Sequence, residues 1–511
     1  MTDICLILEG TYPYVSGGVS SWVNDLIKRL DDTTFSVVYL GAHQAKDKKM
    51  HYLIPDNVHD FYQINVYDYL SGKGMFRKKH HWRPMARSAA EKIESFLERM
   101  QEGDTALFDE LLECMSQTGA RQINLSDLTY SWESWQILEK FYHKRADGVS
   151  FIDFFWTWRA LYLPFFSLFK VKLPEARVYH AISTGYAGVL GAMAKARFNR
   201  PFLLTEHGIY TRERKIDIAQ ADWIYSELAH ELKVVEENDF FKDWWMRFFM
   251  FLSYLAYERA DEVVTLYEGN RLTQLEEGAD PQKTRIIPNG VNIVGYQVNA
   301  RKNSYGPFKV GFVGRVVPIK DVKTFIAACQ NINNEIQNVE FYILGPTDED
   351  EEYYQECVQL TKMKSLENVI HFTGEVKMRD YYPQLDVIVL TSISEAQPLV
   401  LLEAAACGIA VVATDVGACP ELINGRSGDD RLLGQSGLVT SICNPQETAQ
   451  AVIQILKNPE LRRKMGEAGR KRVAQYYQQN DFIANYQELY NRYIDQVSYS
   501  QKTATLATQL N

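Results

Sequence analysis

The chain has 511 residues, 46% of them hydrophobic and 23% charged, enough to bury two large cores or three ordinary ones without disulfide or metal staples. Its 55 Lys+Arg against 65 Asp+Glu leave a formal net charge of -10, which argues against bulk binding to nucleic acid or anionic lipid. No apolar run reaches ~18–20 uncharged residues, the short run Ile4–Leu8 stops at Glu9 with no basic segment before it, and the seven cysteines form no C-x-x-C pair. A soluble cytoplasmic protein is expected, with Cys5, Cys114 and Cys407 as reduced thiols.

Short β-branched runs alternate with helical periodicity, the pattern of parallel sheets wound with helices. Strands are predicted at Ile4–Leu8, Val37–Leu40, Val178–Ile182, Phe202–Thr205 and Glu262–Leu266, with helices at Val19–Leu30 and Ala187–Arg197. The region Asp68–Glu175 breaks the alternation and reads as a mostly helical insertion. Phe151–Phe169 and Phe240–Tyr257 each hold nine aromatics. Phe151, Phe155, Trp158, Tyr162 and Phe169 can share one helical face, with Pro164 expected to kink or end the helix. Two readings stay open: packing into the first domain's core, or a docking surface for a partner or a membrane interface. A changeover follows near Ile286–Pro307, where Pro288, Gly290, Gly295 and Pro307 cluster. Beyond it, strands are predicted at Lys309–Val313, Glu340–Leu344, Val369–Thr373, Val387–Thr391 and Ala410–Thr414, each followed by a helix-compatible stretch. Leu461–Tyr493 reads as helical, with Tyr486, Leu489, Tyr490 and Tyr493 at core-like spacing, and the polar tail from Gln501 is expected to fray. The fold class is α/β: two Rossmann-like, doubly wound domains, about 1–285 and 286–477, the first with a helical aromatic-rich insertion at about 68–175. Two such domains facing one another would place the carboxyl ends of both sheets around a central cleft, where open α/β sheets bind ligands.

Three groups of residues could carry chemistry. Gly17 and Gly18 stand where a helix begins after the first strand, so bare backbone N–H groups and the helix dipole could meet a phosphate. The loop is not G-x-G-x-x-G, which disfavours dinucleotide binding. Arg315 follows the strand Lys309–Val313 and Lys320 sits five residues on; a planar fork and a point charge at the mouth of a sheet suit a diphosphate. The most specific group follows Val387–Thr391. Glu395 lies in the loop, Pro398 suits the first turn of a helix, the N–H groups near Gln397, Leu399 and Val400 are free to face a ligand, and Glu403 lies eight residues after Glu395. Two carboxylates so placed can hold two parts of one long ligand and accept hydrogen bonds from sugar hydroxyls.

The Gly-Gly loop, the Gly-Arg-x4-Lys string, Pro-Asn-Gly-Val-Asn at 288–292 and Glu-x7-Glu together resemble the retaining GT-B glycosyltransferases that use nucleotide sugars. Leu8-Glu-Gly-Thr-Tyr-Pro-Tyr-Val-Ser-Gly-Gly-Val-Ser-Ser-Trp-Val and Thr205-Glu-His-Gly-Ile-Tyr-Thr-Arg-Glu-Arg look closer still to one branch, the PelF-type glycosyltransferases of Pel polysaccharide synthesis. The resemblance implies that Arg315 and Lys320 stabilise the diphosphate leaving group, Glu403 binds the ribose and Glu395 the donor sugar, with Gln397, Pro398 and Leu399 beside them. His207 would contact sugar or acceptor, and Gly17 and Gly18 would leave room for the phosphates. Ala396 departs from the family, where glycine often follows the first Glu, and its methyl would narrow the sugar pocket. The resemblance further implies a UDP-sugar as substrate, no cofactor or metal, a polysaccharide acceptor, inner-membrane partner subunits of an export complex, and no nucleic acid. A last helix at about 478–500 would cross back onto the first domain. An ADP-glucose-dependent glucan synthase, a UDP-sugar epimerase and a non-catalytic nucleotide-sugar-binding scaffold stay open as alternatives.

Other signals are set aside. Asp348-Glu-Asp resembles the D-x-D metal signature of another glycosyltransferase class, but Thr347 can cap the next helix and acidic residues suit its first turn. His43, His51 and His59 recur every eight residues, which fits neither a helix nor a strand face. His80 and His81 sit in the basic stretch Lys73–Arg87 (Arg77, Lys78, Lys79, Arg83), read as a solvated loop or a contact for lipid head groups or an acidic partner.

Overall fold

The computed structural model describes the chain except residues 16, 42–48, 68–84, 117–122, 221–234, 297–305 and 510–511. The basic stretch from 73 to 84, with His80 and His81, and His43 lie outside the described residues. The chain divides into two compact units. Unit 1 comprises Met1–Thr265, Arg271–Arg285 and Gln487–Asn511; unit 2 comprises Leu266–Asn270 and Ile286–Tyr486.

Unit 1 is built on seven strands: β1 (Thr2–Glu9), β2 (Phe35–Gly41), β3 (Val58–Asn65), β4 (Ala176–Ala181), β5 (Phe202–Glu206), β6 (Glu262–Thr265) and β7 (Thr284–Ile286), in the order 3-2-1-4-5-6-7. Pairing is parallel from β3 across to β6. β1, β2, β5 and β6 are buried along almost their whole length, as strands covered on both faces must be. The predicted strands of this half all form. β3 and β7 are not predicted, because β3 is a half-exposed, largely polar edge strand and β7 is three residues long.

The insertion is helical where described, at Arg87–Met100, Phe108–Ser116, Leu125–Tyr130, Trp132–Arg145 and Phe151–Leu168. Most of the two aromatic stretches is core. Phe154, Trp158, Tyr162, Phe165, Phe166 and Phe169 are buried, as are Trp244, Trp245, Phe248 and Phe251 of the helix Val235–Arg259. Trp156 at 60% and Ile152 at 68% relative exposure keep one face of the Phe151–Leu168 helix open. Of the two expected outcomes, a kink or an end, Pro164 does not end this helix. An interior proline costs about 3 kcal/mol, and the burial of Leu161, Tyr162, Leu163, Phe165, Phe166 and Leu168 around it offsets that loss.

Unit 2 holds β8 (Phe308–Val313), β9 (Val339–Leu344), β10 (Ile370–Gly374), β11 (Val387–Leu390), β12 (Ala410–Thr414) and β13 (Gly437–Thr440), all parallel, in the order 10-9-8-11-12-13. Only β13, whose Gly437-Leu-Val-Thr is too short to show a pattern, escapes prediction. In both sheets the strand order reverses beside the first strand, between β1 and β4 and between β8 and β11. Loops at the carboxyl ends flanking such a switch are where ligands bind in open α/β sheets.

The C-terminal helical run is two helices, Pro459–Tyr476 and Gln479–Gln509, and not one. The break has a backbone cause. Val291 N–H donates to the Tyr477 carbonyl at 2.9 Å, and Gln479 N–H donates to the Val291 carbonyl at 3.1 Å. A side chain on Gly290 would stand 2.4 Å from the Gln478 carbonyl oxygen, so this close approach explains the glycine of the Pro-Asn-Gly-Val-Asn string. In unit 1, Tyr490 Oη sits 2.7 Å from His180 Nδ1, while Thr205 Oγ1 lies 2.8 Å from Nε2.

Candidate functional site

In unit 2, β8 runs through Gly314 into Arg315, and a tight 3-10 turn follows at Pro318–Lys320. The end of β11 clamps that turn. Thr391 Oγ1 donates to the carbonyls of Lys320 at 3.2 Å and Asp321 at 2.8 Å, and Ile393 N–H reaches the Ile319 carbonyl at 2.9 Å. Asp321 adopts a left-handed φ of 46° and caps the helix Val322–Glu335 by accepting Thr324 N–H at 3.2 Å. The clamp delivers Lys320 Nζ to within 2.5 Å of Glu395 Oε1, which also accepts the Ser392 hydroxyl at 2.6 Å. The side chains of Lys320 and Glu395 are 19% and 10% exposed, so the pair sits in a partly desolvated place where charges act strongly. Arg315 instead pairs with Glu349 through one nitrogen, Nη1, bonded to Oε1 and 2.7 Å from Oε2.

Glu349 is the middle residue of Asp348-Glu-Asp. The helix after it, Glu351–Met363, is capped by Asp350, which accepts Tyr353 N–H at 3.0 Å. The cap is therefore Asp350 and not Thr347: a carboxylate adjacent to the first turn serves the N–H groups and the dipole better than a hydroxyl three residues further out.

Glu403 projects from the helix Leu399–Cys407 and receives two phenols, Tyr296 at 2.9 Å and Tyr382 at 2.7 Å. Burial pushes its carboxyl pKa up, and the two tyrosine hydrogen bonds oppose that shift. With one donor on each oxygen, the carboxylate keeps further lone pairs for hydroxyls of a ligand. Pro398 stands at the N-cap position, one residue before the first turn where it was expected, with φ -70° and ψ 118°. Gln397 is buried: its Oε1 accepts Asn289 N–H at 2.6 Å, and Nε2 reaches the Leu266 carbonyl at 3.5 Å. It ties the Pro288–Asn292 string to the loop carrying Glu395. Leu399 is half-buried at the start of the helix.

Unit 1 contributes the other sequence-derived residues. Gly17 has an extended φ of 169° and Gly18 opens the helix Gly18–Arg29. A Cβ added at either meets no described atom within 4 Å, so neither turn geometry nor packing demands these glycines. His207 follows β5, buried, its ring edge-on to Trp22 of the Gly18–Arg29 helix at 4.8 Å and 88°. Burial lowers its pKa to about 4, and that of His180 to about 3, so both rings are neutral at pH 7.

The structure thus joins Lys320 to Glu395, and holds Arg315 and Glu403 in the same unit on separate partners; Gly17, Gly18 and His207 belong to unit 1. Glu349, Ser392, Tyr296 and Tyr382 escaped the sequence reading. Glu349 was visible only as a metal signature, and lone tyrosines outside any spacing carry no signal.

Residues 2–282 match the family model described as a domain of unknown function (DUF3492), and residues 298–472 match glycosyl transferases group 1. Among curated relatives, the chain is similar to N-acetyl-alpha-D-glucosaminyl L-malate synthase of Bacillus anthracis, at 30% identity over 173 residues, 34% of this chain and 42% of that protein's length. It is also similar to alpha-maltose-1-phosphate synthase of Mycolicibacterium smegmatis, at 25% identity over 62% of this chain and 79% of that one. Among solved structures, Anabaena HepE in complex with UDP superposes with a TM-score of 0.58 at 15% identity, over 96% of this chain and 100% of that one. That likeness establishes the fold, GT-B, with two Rossmann-like units.

Proposed function

The chain belongs to the DUF3492 family, its residues 298–472 form a group 1 glycosyltransferase domain, and on that premise we propose that it transfers a sugar from a UDP-sugar onto a growing polysaccharide with retention of configuration. The observation that carries the reading is the clamp placing Lys320 Nζ beside Glu395 in a partly desolvated place, with Glu403 held ready in the same unit. The UDP bound by HepE, which shares the fold, supports a uridine donor.

The chemistry follows from charge. Breaking the bond between the anomeric carbon and the diphosphate leaves negative charge on the phosphate oxygens. The cations Lys320 and Arg315, exchanging Glu395 and Glu349 for the diphosphate, stabilise that charge as it develops and lower the barrier. Glu403 receives the ribose hydroxyls, and Glu395, relieved of Lys320 when the diphosphate takes it, receives hydroxyls of the donor sugar. Retention requires either a carboxylate nucleophile or attack from the face the diphosphate leaves. The second route fits, with the departing phosphate taking the acceptor's proton, because Glu395 already serves as counter-ion to Lys320. His207, neutral by burial, contacts sugar or acceptor as a hydrogen-bonding group and not as a charge. No metal or cofactor is required by this scheme.

The Pel resemblance makes the product an exopolysaccharide of a biofilm matrix, delivered to inner-membrane export subunits by a protein working at the cytoplasmic face. Among the described residues no helix is long and apolar enough to cross a membrane, so attachment would run through a surface. The exposed Trp156 marks it. Trp156→Ala is expected to reduce recovery of the protein with membranes carrying its partner subunits, and unchanged recovery contradicts that surface.

The transfer itself is tested by incubating the protein with a panel of UDP-hexoses and UDP-N-acetylhexosamines, reading UDP release and the anomeric configuration of the product by NMR. An α-linked product from an α-linked donor is expected, lost in Lys320→Ala. A β-linked product contradicts retention, and turnover only with ADP-sugars contradicts the donor.

A further inference from the structure

Within the helical region of unit 1 lies a cavity of about 290 Å³ that none of the roles above employs. Two of its lining residues are tied to one buried phenol: Tyr162 Oη accepts from Gln101 Nε2 at 2.7 Å and from Trp244 Nε1 at 3.1 Å. Its walls are aromatic. The rings of Phe154 and Trp244 stack at 4.9 Å and 23°, Phe240 stands 5.8 Å from Trp244, and Phe141 completes the lining. Its rim is charged, with Arg145, Asp243 and Arg247. Protein interiors are ordinarily filled to crystal-like density, so an aromatic-walled space of this size with a charged rim is not a packing residue.

Among the described residues the rim cations are at most loosely committed elsewhere. Arg247 enters no ion pair among the described residues, although Asp243 stands one helical turn before it. Arg145 has only a loose contact, 3.8 Å, with a Glu102 side chain that is 71% exposed. Two arginine forks suit a phosphate or carboxylate, the acceptor oxygens of Asp243 and Gln101 suit hydroxyl groups, and aromatic faces stack on the C–H face of a sugar ring. The volume, at the lower end of the roughly 300–1,000 Å³ typical of ligand pockets, fits one ring and not a nucleotide. We propose that this cavity binds an anionic monosaccharide, a hexose phosphate or a hexuronate, at a site distinct from the donor residues Arg315, Lys320, Glu395 and Glu403.

Calorimetric titration of the full chain tests it, with glucose 1-phosphate, glucuronate, glucose and inorganic phosphate as probes. Saturating UDP, or Lys320→Ala without UDP, keeps the donor residues from reporting a sugar phosphate, so the result stands whether or not the UDP-sugar reading does. Saturable binding of one glucose 1-phosphate or glucuronate per chain is expected, the two arms showing whether phosphate or carboxylate is preferred. Glucose should bind at least tenfold more weakly. The exposed pair Arg145→Ala/Arg247→Ala should lower anion affinity tenfold or more while leaving UDP affinity unchanged. Absence of saturable binding by both anions, binding unaffected by the double variant, or inorganic phosphate binding as tightly as glucose 1-phosphate overturns the proposal.

Discussion

At Glu403 the sequence supplied a carboxylate and the fold supplied its holders. Tyr382 is fully buried with its hydroxyl 2.7 Å from the carboxylate, so its place is fixed by packing before any ligand arrives. Tyr382→Phe removes one donor and leaves the ring; the expected cost is about 1–2 kcal/mol in stability, read by denaturant melting, with a several-fold loss of UDP affinity if Glu403 holds the ribose. Unchanged UDP affinity would move Glu403 out of the donor site. Glu395 is expected to behave differently. Glu395→Gln should abolish transfer while sparing UDP binding, if Glu395 faces sugar and not nucleotide as proposed. A loss of UDP affinity as large as that of Arg315→Ala contradicts that division of labour. Residue types and spacing single out Glu395, Glu403, Arg315 and Lys320 as candidates, because Glu-x7-Glu after a strand and two cations after another are local patterns. Their partners were not legible, because Tyr296, Tyr382 and Glu349 reach them from elements far away in sequence.

Elements were read best where both faces are buried. β1, β11 and β12 announce themselves as continuous apolar runs, whereas the part-exposed edge strand β3 does not. Pro164 and the Tyr477–Gln478 break show the limit from the other side: packing carried one helix through a proline, and a two-residue pairing with Val291 interrupted another. Glycines separate structural from functional demand in the same way. A Cβ on Gly191 would lie 2.1 Å from Phe202 Cε2, so Gly191→Ala is expected to destabilise unit 1 by about 1–3 kcal/mol. Gly17→Ala and Gly18→Ala meet open space and should stay within about 0.5 kcal/mol of the parent in denaturant melts. If these glycines clear the phosphates, the same two variants lose transfer rate; full activity in both would reduce the Gly-Gly loop to a connector.

Across the whole molecule, two buried histidines link stability to pH. His180 and His207 carry folded pKa values of about 3 and about 4, below the ordinary 6.5 of the unfolded chain. The unfolded state therefore binds more protons once pH falls below about 6.5, and each histidine withdraws about 1.4 kcal/mol of stability per pH unit until its folded pKa is reached. Glu206, buried with its pKa raised, works in the opposite sense, adding stability as pH falls toward the ordinary carboxylate range. The difference between parent and His207→Gln isolates the histidine: melting midpoints at pH 7.5 and 5.0 should converge more closely in the variant than in the parent. An equal drop in both would place the His207 ring in water. The two-unit α/β architecture was legible from composition and alternation. The partition of the aromatic helices between core and surface was not, since nine aromatics in one helix satisfy either reading until their neighbours are known.

The central claim is that Lys320 and its neighbours receive a uridine diphosphate. Thermal shift of the full chain with UDP, against ADP and against Lys320→Ala, tests it most directly. A ligand at 100 times its dissociation constant adds about 2.7 kcal/mol, which moves the midpoint by several degrees in a domain of this size. A shift with UDP that ADP does not reproduce and Lys320→Ala removes is the expected result. A shift with ADP alone, or none with either nucleotide, contradicts the account.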